Sequence, residues 1–456
     1  MERDDPRSRI ELELLLSDAF TRYVRDMSGM RVSARSIYLD DEDWKQRIEG
    51  LQAINYLNTA QNNMHDFLSD IEPQGKTYKK LRKELINLVN AGPSEKEVLL
   101  PIEVSGILKP GWGHKVIPQI REFFGLRQPQ YAPGKYDDEL AAAVMRFQRE
   151  NGLKDDAVIG PNTLAVINRT TADKIKHIVV NMERLRWVDT QERGDKYVIV
   201  NIPSAKLWAI KDGRVDLEMP VIVGHPGRAT QSFKTEITGL RLNPDWTVPP
   251  TIKRFDILPK IQEDPEYLLK KGMELFEGYG RNAVSLDPYS IDWVNITNRE
   301  LHAIRMVQGP GDNNPLGRYR VLMPNGYNIY LHDTNQPELF AESARALSSG
   351  CVRMKYPEKM AEYLLEDIEG WSVKQAQEIL DSYKKTDIRI PDAIPVYLFY
   401  YTTWLDDNGQ IVYGNDIYGH DKKLIEEIQK IDGFYIPVHN DNREHYSNAR
   451  LVSYQQ

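Results

Sequence analysis

The chain has 456 residues, of which 41% are hydrophobic and 28% are charged. This is an ordinary globular composition, with enough length for two or three domains. The formal net charge of −8 provides no basic excess, so we expect no nucleic-acid partner. No apolar run approaches the roughly 20 residues that a membrane-spanning helix needs. The single cysteine, Cys351, excludes an internal disulfide and a multi-cysteine metal site, and we expect neither metal nor cofactor.

The N-terminus lacks the basic head and the apolar stretch of a signal peptide. It therefore fits either a cytosolic protein or a mature form whose export segment has been removed, and composition does not separate the two. An unpaired cysteine in an exported protein needs a reason, because an idle exposed thiol is open to oxidation.

The first part of the chain is predicted to be helical. Residues 1–95 form a scaffold domain, because apolar residues recur there at steps of three and four. A second helical unit occupies residues 96–172. Its helix over residues 136–152 is amphipathic and is closed by Gly152, which suits a left-handed cap. A further helix starts near residue 161, with a side-chain cap from one of two residues, Asn162 or Thr163.

This second unit resembles the common helical peptidoglycan-binding domain. The resemblance covers about 35 residues and is carried by Phe147, Gln148, Gly152, Leu153, Asp156 and residues 159–164. Most of these positions are structural, so the resemblance identifies the fold better than it identifies glycan binding.

From about residue 174 the apolar period changes to two, which predicts a β-rich domain over residues 173–456. Lys211-Asp-Gly-Arg214 is a hairpin signal. Residues 244–310 interrupt the strands as a lid or cap, with a helical pattern over residues 252–271 and irregular polar sequence after it. The other predicted elements are strands over residues 197–202, 206–210, 219–224, 319–323, 327–332, 394–401 and 410–413, and a helix over residues 357–365. The fold class is multidomain α+β.

Cys351 has the setting of a nucleophile. It follows His332, which ends a predicted strand, by 19 positions, a loop length that can return the chain beside the strand end. A neighbouring imidazole lowers the pKa of a thiol and gives a reactive thiolate. The backbone N–H groups of Gly350 and Cys351 could form an oxyanion hole, and Arg353 could bind a carboxylate. A lone cysteine is more often a small buried apolar residue, but its neighbours Ser348-Ser-Gly350 do not have a core pattern.

The segment Ser348-Ser-Gly-Cys-Val-Arg-Met354, preceded by Tyr330-Leu-His-Asp-Thr334, resembles the active-site signature of the L,D-transpeptidases. The type is the large proteobacterial one, with scaffold and peptidoglycan-binding domains. The resemblance extends from about residue 96 onward and includes residues 243–250, 256–260, 309–311, 314–319 and 345–351.

That resemblance implies a mechanism. Cys351 would attack the carbonyl of the third residue, meso-diaminopimelate, in a tetrapeptide stem and expel the terminal D-Ala. His332 would act as base and then as acid. The side-chain amine of diaminopimelate on a neighbouring stem would capture the thioester and form a 3→3 cross-link, whereas capture by water would be carboxypeptidase activity. Acylation of the thiol by carbapenems is also expected.

Further roles are expected for residues near the cysteine and in the lid region. Many members carry His two positions before the cysteine, whereas this chain has Ser349, so His332 is taken as the sole catalytic imidazole and Ser349 as a substrate-binding residue. Either the carboxylate of Asp333 or a backbone carbonyl orients the imidazole. Tyr330 is expected to line the substrate groove. Trp246 either packs over that groove or belongs to the core.

Other readings have less support. The only S-x-x-K, Ser382-Tyr-Lys-Lys385, lacks the partner motifs of a serine D,D-transpeptidase. A papain-like endopeptidase would place Cys before His, and the motifs of zinc peptidases and α/β-hydrolases are absent. A catalytically silent peptidoglycan-binding scaffold and an enzyme that is mainly an L,D-carboxypeptidase remain alternatives. The expected partners are peptidoglycan stem peptides, β-lactams of the carbapenem class and cell-wall synthesis proteins. The expected location is the periplasm, with an anchor in a removed N-terminal segment.

Overall fold

The computed structural model describes residues 5–38, 55–56, 58–61, 63–92, 107–151, 153–188, 194–278, 280–342, 344–406 and 408–431. The chain divides into two compact units, Met1–Glu192 with Tyr400–Gln456, and Arg193–Phe399. No helix within the described ranges has both the length and the apolar character that crossing a membrane requires.

The first unit is mainly helical. Helices are expected in its part before residue 173, whereas residues 400–456 are predicted to belong to the β-rich domain. An antiparallel pair of short strands, Thr403–Leu405 and Ile411–Tyr413, belongs to it as well. Its helices are Pro6–Met27, Ala34–Tyr38, Met64–Ile71, Lys76–Ala91, Ile117–Phe123, Asp138–Glu150, Pro161–Ile167, Thr171–Trp187 and His420–Gln429. One apolar cluster gathers residues of the predicted peptidoglycan-binding unit: Leu108, Val116, Ile117, Ile120, Tyr136, Leu140, Val144, Ile159, Leu164 and Ile167.

The predicted side-chain cap of the helix Pro161–Ile167 is wrong. Gly160 occupies the cap position, and no side-chain hydrogen bond caps the helix. The hydroxyl of Thr163 instead accepts a hydrogen bond from the side-chain amide of Gln148, at 3.1 Å. Gly152, the predicted cap of the preceding helix, lies outside the described residues.

The predicted change to strand structure near residue 174 is also wrong. Thr171–Trp187 is a helix that begins with a capping box, in which Thr170 and Asp173 each accept a hydrogen bond from the other's backbone N–H. The first strand starts later, at Lys196. Buried apolar residues on the helix recur at helical spacing: Ile175, Ile178 and Met182.

The second unit is a closed, strand-rich body. Its large sheet has the order β11-β3-β12-β10-β9-β4-β13-β1-β2, and β2 also pairs with β3, so that the sheet returns on itself. Its strands are β1 Lys196–Asn201, β2 Lys206–Lys211, β3 Arg214–Gly224, β4 Phe233–Leu242, β9 Tyr319–Leu322, β10 Leu331–His332, β11 Ala346–Ser348, β12 Val352–Met354 and β13 Thr386–Phe399. Fully buried residues fill its interior, among them Val198, Leu207, Val221, Leu240, Val321, Leu331, Val352 and Leu398. The helices Pro357–Leu365 and Val373–Asp381 complete it.

The inserted segment has its own core and its own sheet. Its helical part is broken into Pro250–Ile252, a π-helical turn at Lys253–Ile257, Leu258–Glu263 and Tyr267–Lys270. The sequence after it, predicted to be irregular, instead contains three strands, β6, β7 and β8, and the helix Asn298–Ala303, which lies between β7 and β8. Together with β5, which precedes the helical part, these strands form a second sheet of order β5-β8-β6-β7. The strands are β5 Trp246–Thr247, β6 Met273–Glu277, β7 Val284–Leu286 and β8 Ile304–Gln308. A periodicity scan misses β5 and β7 because they have two and three residues.

Candidate functional site

Cys351 and His332 lie on one face of the large sheet. Strands β10 and β12 are parallel neighbours whose register pairs His332 with Arg353. Cys351 immediately precedes β12, two positions before Arg353, and the charges of Arg353 and Arg320 both act on its thiol, which places it on the same side as His332 and Arg353. From the strand spacing and the rise per residue, the Cα atoms of Cys351 and His332 are about 8 Å apart. The loop predicted from the 19-residue spacing thus returns the cysteine beside the strand end.

The imidazole of His332 is oriented by a backbone carbonyl. Its Nδ1 lies within hydrogen-bond range of the carbonyl oxygen of Asp333. A carbonyl oxygen can only accept, so Nδ1 carries the proton and Nε2 is left as a base. The carboxylate of Asp333 accepts instead from the backbone N–H groups of Arg318 and Thr334, each at 2.7 Å. Of the two predicted orienting groups, the structure therefore selects the backbone.

Burial keeps both reacting groups neutral. It raises the pKa of the Cys351 thiol, while a backbone hydrogen bond from Tyr330 and the charges of Arg320 and Arg353 act in the opposite direction. Burial, and after it the charge of Arg353, lower the pKa of His332 to about 3. Within the described ranges no hydrogen bond joins thiol and imidazole; the thiol donates to the carbonyl oxygen of Asn328 at 3.6 Å. This arrangement therefore favours a resting thiol on Cys351 over the predicted thiolate.

The loop that carries Cys351 is fixed by two buried hydroxyls. The Ser348 hydroxyl donates to the carbonyl oxygen of Cys351 and accepts from the backbone N–H of Gly350 at 3.1 Å. The Thr230 hydroxyl donates to the carbonyl oxygen of Gly350 at 2.7 Å. Gly350 has φ of +116°, which a residue with a side chain rarely adopts. The N–H of Gly350 is one of the two predicted oxyanion-hole donors, but it is already engaged by the Ser348 hydroxyl. The N–H of Cys351 is the other predicted donor.

Ser349 is joined to the inserted segment through an arginine. The guanidinium of Arg228 donates to the hydroxyl of Ser349 at 3.1 Å and forms a two-pronged ion pair with Asp256, which lies in the π-helical turn. The side chains of Arg228 and Asp256 are 20% and 42% exposed, so water weakens this pair. The segment that carries Asp256 is thereby connected to the residue two positions before the nucleophile.

The other predicted substrate residues lie in different surroundings. Arg353 donates to the side-chain oxygen of Gln336 at 3.2 Å and is close enough to influence both reacting groups. The ring of Tyr330 is covered by the guanidinium of Arg320, at 3.8 Å from its centroid. Trp246 is 9% exposed and belongs to the apolar core of the inserted segment, which corresponds to the second of its two predicted roles.

Three supporting residues, Thr230, Arg228 and Arg320, are not indicated by the sequence. None of them lies in the segments around His332 and Cys351; they are brought there by strand pairing and by the turn after β3. One local signal existed for that turn. A side-chain carbon on Gly224 would lie 2.2 Å from the carbonyl oxygen of Arg228, so the close approach requires glycine.

No group of three or more His, Cys, Asp or Glu side chains suited to a metal ion occurs within the described ranges.

Three family models match the sequence. Residues 195–389 match the "L,D-transpeptidase catalytic domain", residues 1–85 the "Scaffold domain" and residues 122–167 the "Putative peptidoglycan binding domain".

A Haemophilus influenzae protein named "Putative L,D-transpeptidase" is 38% identical to this chain over 247 residues, which are 54% of this chain and 48% of that protein. The chain therefore spans about half the length of this relative. Among solved structures, an L,D-transpeptidase (Yku) from Stackebrandtia nassauensis is 15% identical, with a TM-score of 0.22 over 64% of this chain and 94% of that one. L,D-transpeptidase 3 from Mycobacterium tuberculosis, in complex with a faropenem-derived adduct, is 12% identical, with a TM-score of 0.23 over 45% of this chain and 60% of that one.

Proposed function

We propose that this chain, which belongs to the L,D-transpeptidase family through residues 195–389, forms 3→3 peptidoglycan cross-links by way of a thioester on Cys351. The observation that carries the proposal is the placement of Cys351 on the sheet face of His332, whose Nδ1 is engaged and whose Nε2 is left as a base. The donor is a tetrapeptide stem, and the reaction takes place in the cell-wall compartment.

The first half-reaction acylates the enzyme. As Sγ of Cys351 attacks the carbonyl carbon of the third stem residue, the thiol proton moves to Nε2 of His332. The C–N bond to D-Ala then breaks, and His332 returns the proton to the leaving amine. The product is a thioester and free D-Ala. A neutral imidazole and a neutral thiol suit this sequence, because the base has to be unprotonated when the attack begins.

The second half-reaction transfers the acyl group. The side-chain amine of diaminopimelate on a second stem attacks the thioester and loses a proton to His332. The C–S bond then breaks, and the sulfur regains the proton. Water in place of the amine yields a tripeptide, which is the carboxypeptidase outcome.

Mass spectrometry of disaccharide-tetrapeptides incubated with the purified chain tests this function. We expect a dimer with a 3→3 linkage together with released D-Ala, and no product from Cys351→Ala. Cys351→Ser is the matched control, because it keeps a hydroxyl in place of the thiol. A tripeptide alone would select the carboxypeptidase. No change, with no adduct on Cys351 after exposure to a carbapenem, would select the silent scaffold.

A further inference from the structure

A row of charged side chains crosses the face of the sheet that carries the reacting groups. The strand registers pair Asp387 with Arg241, Arg241 with Arg320, Arg320 with His332, and His332 with Arg353. Directly paired residues of neighbouring strands share a face. Three arginines and the histidine therefore lie side by side on four adjacent strands, about 5 Å apart from strand to strand.

The arginines of this row differ in what they bind. Arg241 donates to both carboxylate oxygens of Asp387, at 2.6 and 2.7 Å. Arg353 donates to Gln336. In the described part of the chain, the side chain of Arg320 has neither a hydrogen bond nor an ion pair, and its Nε is a buried donor without a partner. The guanidinium carbon lies over the ring of Tyr330, 3.8 Å from its centroid.

Both acidic residues in this neighbourhood are already occupied, Asp387 by Arg241 and Asp245 by two cations. Asp245 lies within electrostatic range of Arg320, but its carboxylate is bound by Lys385 at 3.1 Å and approached by Arg241 at 4.0 Å. A buried donor without an acceptor is costly, and so are like charges directly opposite each other on adjacent strands. An anion between the cations would offset both costs.

We propose that Arg320 is a specificity-determining residue that binds a carboxylate of the donor peptide. This inference rests on the proposed function. A planar guanidinium matches a carboxylate with two parallel hydrogen bonds, and Arg320 is near enough to Cys351 for its charge to act on the thiol. The two donor carboxylates nearest the reacting carbonyl have this chemistry, the terminal group of D-Ala and the side-chain group of diaminopimelate.

Donor analogues distinguish the two carboxylates. Acylation of Cys351 is followed by intact mass with three tetrapeptides: the native one, one ending in D-alaninamide, and one with the diaminopimelate side-chain carboxylate amidated. The amide at the bound position should lower kcat/KM of the wild type by about 10- to 100-fold, the range for a hydrogen bond to a charged group. In Arg320→Gln that preference should disappear, and in Arg320→Lys it should be reduced.

A second probe does not depend on turnover. Iodoacetate and iodoacetamide differ mainly in a carboxylate against an amide, and both alkylate a thiol. The ratio of their rate constants at one pH reports the positive charge beside Cys351. We expect this ratio to fall in Arg320→Gln. Arg389→Gln is the matched control, because it removes the same charge from an exposed position on β13 and should leave the ratio unchanged.

The outcomes separate the two proposals. Wild type that turns over no tetrapeptide overturns the proposed function, while an iodoacetate preference lost only in Arg320→Gln would still support the carboxylate site. If both wild type and Arg320→Gln turn over the tetrapeptides with the same preference for the carboxylate over the amide, the inference about Arg320 is overturned and the proposed function is retained. If Arg320→Gln unfolds, as judged by circular dichroism, Arg320→Lys provides the same comparison, and an unchanged preference in that variant overturns the two-bond recognition.

Discussion

The Cys351 thiol should be protonated near neutral pH, and its alkylation rate should report this state. Burial raises its pKa above the ordinary value of 9.0, so about 1% or less is thiolate at pH 7. The thiolate is the species that reacts. The rate constant for iodoacetamide should therefore rise about tenfold per pH unit from about pH 6 to about pH 9. A thiolate–imidazolium pair would instead give a plateau across this range.

The assay is intact mass after timed alkylation, and it is unambiguous because the chain has one cysteine. Cys351→Ser gives the background. In His332→Gln the alkylation profile should be unchanged, because the resting thiol does not depend on the imidazole. Acylation by a carbapenem should fall about 10²- to 10⁴-fold in the same variant, the range for loss of a positioned base. A plateau between about pH 5 and about pH 8 that His332→Gln abolishes would refute the argument that both groups rest in the neutral form.

Three further predictions concern stability, each measured by urea unfolding. Asp256→Asn weakens the partly exposed ion pair with Arg228 in the turn after β3 and should lower the free energy of unfolding by about 0.5–1 kcal/mol. An unchanged free energy would show that the pair does not contribute to stability. Gly317→Ala places a carbon 2.3 Å from the Asp333 carboxylate at a residue with φ of +60°, and it should lower the free energy of unfolding by more than about 2 kcal/mol. Gly309→Ala is the control, because a side-chain carbon there meets nothing within 4 Å. Equal losses of stability in the two variants would contradict the clash. Since the pKa of His332 is lowered from 6.5 to about 3, the unfolded chain takes up the proton first as pH falls from about 6.5. The lowered pKa should reduce the free energy of unfolding by about 3 kcal/mol at about pH 4.5, a loss that His332→Gln should lack.

Local signals predicted much of the fold. The hairpin at Lys211-Asp-Gly-Arg214 forms because Asp212 and Gly213 take φ of +51° and +73°, the values that a tight two-residue turn needs. The helix Pro357–Leu365 has the predicted bounds. In each case the information lies within a few neighbouring residues. The helix at Thr171–Trp187 was not predicted although its capping box is also a local signal. The box is only four residues long, and it precedes a stretch with many charged side chains, which obscures the apolar pattern.

Pairing between distant strands was not predictable in this way. Strand β5 has two residues, and its partner β8 begins at Ile304, more than fifty positions later. The same limit applies to the site. The spacing of His332 and Cys351 indicated a pair, but the place of Arg320 beside them follows from the register of β9 and β10, which no local pattern contains.

The row of arginines also bears on how the thiol reacts. Arg320 and Arg353 are the charges that favour the thiolate of Cys351 in the free protein. A donor carboxylate bound to Arg320 would cancel part of that effect, so substrate binding would raise the pKa of the thiol further. A mechanism that relied on a preformed thiolate would then slow when its substrate arrived. Proton transfer to Nε2 of His332 during the attack avoids this conflict, because a neutral imidazole is already in place and no preformed thiolate is required.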